Sequence, residues 1–131
     1  KIEATVGERV ETGITALAQH SDPFTYFAKQ PIHVCEDIAI DDGHLAMILL
    51  QRANQLDMLN VVPRLLTKKL SAYKHGQVIH FDEMLEAELK SVSTDESGEV
   101  RPFPVQVDGD YIGEFDQVRL KAAPGALTII A

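Results

Sequence analysis

The sequence predicts a mainly β protein: a two-sheet antiparallel β-sandwich with one helical crossover segment. Apolar residues alternate with polar ones at period two along most of the chain, the spacing of half-buried strands. Gly, Pro, Asp and Ser punctuate these runs at short intervals, as turns between short strands do. Only one stretch carries a helical period. With 131 residues, 45% of them hydrophobic, the chain reads as one domain over residues 1–131, able to bury a core without a disulfide or a metal.

Glu3 to Val6 and Thr12 to Ala18 read as two strands joined across Gly7, the second showing Ile14, Ala16 and Ala18 on one face. Pro23 lacks an amide hydrogen and biases Asp22 away from helix, so His20 to Pro23 reads as a loop. Phe24, Tyr26 and Phe27 follow as an aromatic cluster. Pro31 to Cys35 reads as a short strand and Leu45 to Gln51 as a buried one, separated by a tight turn at Asp42-Gly43. The helix is expected between Leu56 and Ala72, where Leu56, Leu59, Val62, Leu66 and Leu70 make an apolar stripe. Pro63 kinks it or opens its second part, with Asn60 as a cap. Beyond it, Leu85 to Lys90 alternates as a strand, Ser93 to Gly98 is a polar loop, and Val105 to Val107, Val118 to Lys121 and Leu127 to Ile130 supply three more strands.

Charge and composition exclude several classes. A net charge of −8 lacks the basic stripe that nucleic acid requires, so no nucleic-acid partner is expected, and it does not favour holding an anionic membrane by charge alone. The longest apolar run, Leu45 to Leu50, is too short to span a bilayer as a helix. Cys35 is the single cysteine, so no intrachain disulfide forms, which suits a reducing cytoplasm. Lys1 in place of an initiator Met suggests a processed or truncated chain. No glycine-rich phosphate cradle is present, and the five histidines lack zinc spacing.

Three features could carry chemistry. Asp41-Asp42-Gly43 is either a solvated turn or a site for a hard cation, which takes carboxylate and carbonyl oxygens. Asp108-Gly109-Asp110 is a hairpin turn that can also present a carboxylate at its tip. Phe24, Tyr26 and Phe27 either fill the core or wall a cleft for acyl chains.

The run Ile38-Ala39-Ile40-Asp41-Asp42-Gly43-His44-Leu45, then Pro104-Val105-Gln106-Val107-Asp108-Gly109-Asp110-Tyr111-Ile112-Gly113-Glu114, then Pro124-Gly125-Ala126-Leu127, resembles the C-terminal domain of the soluble bacterial diacylglycerol kinases, relatives of the sphingosine kinases. The resemblance covers nearly the whole chain. It implies a lipid-binding β-sandwich that faces an α/β nucleotide-binding domain across a cleft, with ATP as co-substrate bound by that other domain. The implied reaction is transfer of the γ-phosphoryl group to the hydroxyl of diacylglycerol, giving phosphatidic acid. It further implies a structural Mg²⁺ held by the Asp42 carboxylate and the main-chain oxygens of Ala39 and His44. His44 departs from the usual apolar residue, which a backbone ligand tolerates. The implied proton acceptor is the acid after the Asp-Gly turn, usually Glu and here Asp110, with Asp108 in reserve.

On this likeness the protein is expected to be cytoplasmic and peripheral to the membrane, touching the inner membrane and a diacylglycerol-like lipid, and inactive without its nucleotide-binding domain. An exposed sandwich edge makes self-association into a homo-oligomer an expectation as well. The alternatives are a stand-alone lipid-binding module, a kinase for another hydroxylated lipid such as a sphingoid base, and an interaction domain. A filled interior with no cleft would favour the last.

Overall fold

A computed structural model describes residues 1–35, 38–52 and 76–126, with Phe27 described by its backbone. Eleven strands lie in this part: β1 (Ile2–Val6), β2 (Arg9–Gly13), β3 (Thr15–Gln19), β4 (Thr25–Phe27), β5 (Gln30–Ile32), β6 (Leu45–Leu50), β7 (Val78–Met84), β8 (Glu86–Ser91), β9 (Phe103–Val107), β10 (Asp110–Phe115) and β11 (Gln117–Lys121). The expected mainly β, antiparallel architecture is what forms. The helix expected between Leu56 and Ala72 and the strand Leu127 to Ile130 lie outside the described residues.

One sheet has the order β11-β8-β1-β2 and the other β3-β6-β7, while β4-β5 and β9-β10 are separate two-stranded ribbons. The two sheets are joined by strands that run on from one to the other. Strand β2 runs on into β3 past Ile14, and β7 into β8 past Leu85, so β1, β2/β3, β6 and β7/β8 make a closed ring of paired strands. Strands that switch sheets at a bend are the usual way to form such corners.

Each corner has a local cause. At the first, a Cβ on Gly13 would stand 2.6 Å from the Leu50 carbonyl oxygen and 2.6 Å from Leu49 Cγ, so only glycine lets the chain pass, and Ile14 then donates its amide to that carbonyl at 2.8 Å. Near the second, Ala46 of β6 faces both Asp82 and Glu83 of β7, and Glu83 takes φ 51°. This is a β-bulge, which adds a residue and bends the strand. Arg9 ties the ring across its width: its guanidinium lies 4.6 Å from the Phe81 ring centre and donates to the His80 carbonyl at 3.0 Å.

Ile2 and Ala4 of β1, Met47 and Leu49 of β6, Phe81 and Met84 of β7, and Ala87 and Leu89 of β8 fill the ring. The opposite face of β6 is buried too. Ala46 and Ile48 pack with Val78, Val34, Cys35 and Ile38, because the segment after β5 lies over that face. Burial on both faces explains why β6 reads as an unbroken apolar run. Among the described residues no helix is long and apolar enough to cross a membrane.

Two expectations need correction. Thr12 to Ala18 is two strands broken at Ile14. The strand expected at Pro31 to Cys35 is Gln30–Ile32, and the residues after it are irregular core cover. The strand expected to begin between His75 and His80, given no bounds from the sequence, is Val78–Met84.

Candidate functional site

The Asp42 turn is built from reciprocal bonds. The Asp42 amide donates to the Ala39 carbonyl at 3.1 Å, and the Ala39 amide donates to Asp42 Oδ2 at 2.7 Å. His44 follows closely, its Nδ1 3.3 Å from the Asp42 carbonyl oxygen and its Nε2 4.0 Å from Asp42 Oδ2. Gly43, at φ 74°, makes the left-handed step that this turn requires. A Cβ there would meet Pro124 at 3.3 Å, so the Pro124-Gly125 turn lies against the Asp42 turn. The donor set is one carboxylate with neighbouring carbonyls, the oxygen chemistry that a Mg²⁺ ion takes. Ala39, Asp42 and His44 therefore fit that ion by donor type, and a carbonyl that already accepts one hydrogen bond retains a second lone pair.

The β9-β10 tip is a two-residue hairpin turn. Asp108 (φ 52°) and Gly109 (φ 89°) both adopt the left-handed conformation, and Val107 pairs with Asp110 across them. This is the turn that an Asp-Gly pair specifies. Asp110 opens β10 with its side chain exposed. Ile112 is an extra residue between the Tyr111–Gln106 and Gly113–Val105 pairs, so the ribbon twists just beyond the tip. Phe103 at its base packs on the ring core. The contacts of Asp42 are with Ala39 and His44, and none of them reaches this tip.

Phe24 and Tyr26 of the aromatic cluster do not fill the core. Phe24 is 41% exposed and Tyr26 66%, on the β4-β5 ribbon. The interior of the ring is occupied by its own side chains, with Ala4, Met47 and Leu49 fully buried. Among the described residues, the space inside the ring is thus taken up by the protein's own side chains.

A further polar group lies where sequence reasoning placed nothing. At the base of the β4-β5 ribbon, the His33 ring Nδ1 is 2.7 Å from Asp22 Oδ1, both side chains nearly buried. Gln19, also buried, donates its side-chain amide to the Cys35 carbonyl at 3.1 Å, while its Oε1 has no hydrogen-bond partner. Burial, and then the charges of Asp82 and Asp22, push the Cys35 thiol up to about 12. Asp, His and Cys are the ingredients of a nucleophilic centre, but such a cysteine needs a lowered pKa. The buried Cys35 thiol has the opposite setting, which argues for a packing role. No spacing rule could have found the Asp22–His33 pair, since it exists only because the ribbon between them folds back.

A depression of about 430 Å³, open to solvent, is lined by Thr94, Asp95, Glu96, Val100, Arg101 and Pro102. Its wall is an Asx-type turn in which Asp95 Oδ1 accepts from the Ser97 hydroxyl at 2.6 Å, the Ser97 amide at 2.8 Å and the Glu99 amide at 3.0 Å. The Ser97 hydroxyl leads in holding the Asp95 carboxyl below its usual range. The depression includes part of the expected polar loop Ser93 to Gly98 and none of the candidate site residues. Among known proteins, no family model and no curated protein matches the chain.

Proposed function

We propose that this chain is the lipid-side domain of a two-domain diacylglycerol kinase. In this reading Asp110 accepts the proton of the lipid hydroxyl as that oxygen attacks the γ-phosphorus of ATP. The O–P bond to the leaving ADP breaks as the new one forms, and the product is phosphatidic acid. Phosphoryl transfer asks for positioning and charge neutralisation more than covalent chemistry, so one carboxylate on a rigid turn is an adequate contribution from this domain. The nucleotide and its phosphate-binding groups belong to a separate domain, without which the chain is inactive. The Asp42 carboxylate and the Ala39 and His44 carbonyls would hold a structural Mg²⁺.

The observation that carries the reading is the exposed Asp110 carboxylate directly after a turn whose backbone is fully specified. The contact between the Gly43 and Pro124 turns, two segments of the resemblance that lie far apart in sequence, supports it further. The test is direct: the full-length protein, given ATP, Mg²⁺ and diacylglycerol, should form phosphatidic acid, with a sphingoid base as the competing acceptor. Product from neither lipid would contradict the reading.

A second reading, an interaction domain without catalysis, is favoured by the filled interior of the strand ring. It predicts that lipid hydroxyls are never phosphorylated and that the exposed ribbons bind protein.

A further inference from the structure

We infer that the β4-β5 ribbon is a membrane-contact element, which seats its aromatic side chains at the interface of a lipid bilayer. The choice of a bilayer as occupant rests on the lipid-kinase reading; the placement and the chemistry of the ribbon are independent of it. The ribbon hydrogen-bonds to neither sheet. Phe24 and Tyr26 fall on one face by strand alternation, with Pro31 directly opposite Tyr26. Both aromatic rings are exposed, and Lys29 is exposed at the turn.

Charge separates this ribbon from the β9-β10 ribbon. From Phe24 to Ile32 there is one Lys and no acid, in a chain of net charge −8. The β9-β10 ribbon also exposes Val107, Tyr111, Ile112 and Phe115, but it intersperses them with Asp108, Asp110 and Glu114. An anionic bilayer would repel that second surface and accept the first. Aromatic rings with a nearby Lys are the composition that settles at the boundary between headgroups and acyl chains.

The ribbon is also firmly mounted. The Phe24 amide donates to the Ile32 carbonyl at 2.9 Å and the Asp22 amide to the Ile38 carbonyl at 3.0 Å. The Asp22–His33 pair closes the base, and Ile32 packs on the second core. At the tip, Ala28 (φ 47°) and Lys29 (φ 68°) hold left-handed conformations that neither residue favours. Such strain persists where surrounding structure enforces it, and it tends to mark functional loops. A rigid stalk that ends in exposed aromatics loses little conformational freedom on meeting a surface.

The test is co-sedimentation of the protein with vesicles of phosphatidylcholine alone and of phosphatidylcholine mixed with phosphatidylglycerol. The doubly substituted Phe24→Ser/Tyr26→Ser protein should bind both vesicle types roughly tenfold or more weakly. Lys29→Gln should lose about fivefold on the anionic vesicles and nothing on the neutral ones. Because all three side chains are exposed, unchanged thermal melting is expected and checks that the variants fold. Unchanged vesicle binding by the double variant, or no vesicle binding by the unsubstituted protein, would overturn the inference. So would conversion of a dimer to a monomer by the double variant while vesicle binding persists, since the ribbon would then serve a second copy. Formation of phosphatidic acid by the unsubstituted full-length protein, measured separately on dispersed short-chain diacylglycerol, reports the kinase reading alone. Ribbon-dependent vesicle binding without any phosphorylation would keep this inference and end that reading.

Discussion

Asp42 and Ala39 hold each other through two hydrogen bonds of opposite direction, amide to carbonyl at 3.1 Å and amide to carboxylate at 2.7 Å. The side chain thus has a structural task as well as the metal-binding one proposed for it, and two substitutions separate them. Asp42→Asn keeps an oxygen for the Ala39 amide but removes the charge. It should leave thermal stability nearly intact while weakening Mg²⁺ binding to the full-length protein roughly tenfold or more. Asp42→Ala should in addition cost about 1 kcal/mol of stability, the typical worth of the lost hydrogen bond. Calorimetric Mg²⁺ titration checks the first, and equal affinities for parent and Asn variant would remove the metal assignment.

Gly13 is the tightest point of the strand ring. A methyl group there would sit 2.6 Å from the backbone oxygen of Leu50, which cannot rotate away as a side chain could. Gly13→Ala should therefore destabilise the fold by about 1–3 kcal/mol, the usual cost of overpacking. Urea denaturation measures this directly. A neutral substitution would mean that the corner between β2 and β3 is looser than described.

Cys35 gives a pH prediction. Burial, helped by Asp82 and Asp22, raises its pKa from 9.0 to about 12. Between these values the unfolded thiol loses its proton and the folded one keeps it. The folded state then binds more protons, so stability falls as pH rises above about 9 and keeps falling until about 12. At neutral pH the native thiol should resist Ellman's reagent and react fully once the chain is denatured. Rapid labelling of the native protein would contradict the burial of Cys35.

What could be read from sequence depended on whether the signal was local. Ile2–Val6 and Glu86–Ser91 alternate cleanly because one face meets the core and the other meets solvent or a paired charge, as with Arg119 and Glu88 at 3.2 Å. The Asp108-Gly109 and Asp42-Gly43 turns were legible because their residues supply the left-handed conformations found at Asp108, Gly109 and Gly43. The start of Val78–Met84 was legible but its extent was not, since the bulge at Asp82 and Glu83 shifts the alternation midway. Thr12 to Ala18 looked like one strand because its period runs on while the chain changes sheet at Gly13 and Ile14. The β4-β5 ribbon was hidden by a turn of Ala28 and Lys29, which carries none of the residues that announce left-handed backbone. With the ribbon unseen, the Asp22–His33 pair at its base had no signal.

The central claim is that Asp110 accepts the proton of a lipid hydroxyl, and the turnover of Asp110→Asn in the full-length protein tests it most directly. Asparagine keeps the size and much of the hydrogen bonding of aspartate but cannot take up the proton. Initial rates of phosphatidic acid formation should show kcat lowered by about 10² to 10⁴, with ATP affinity and thermal stability nearly unchanged. Asp110→Glu should retain far more activity than Asn. Asp108→Asn should leave both stability and kcat nearly unchanged, because Asn accepts the φ 52° of this position as readily as Asp does. Near-normal turnover in Asp110→Asn would contradict the assignment, and a large loss in Asp108→Asn beside it would move the role to Asp108.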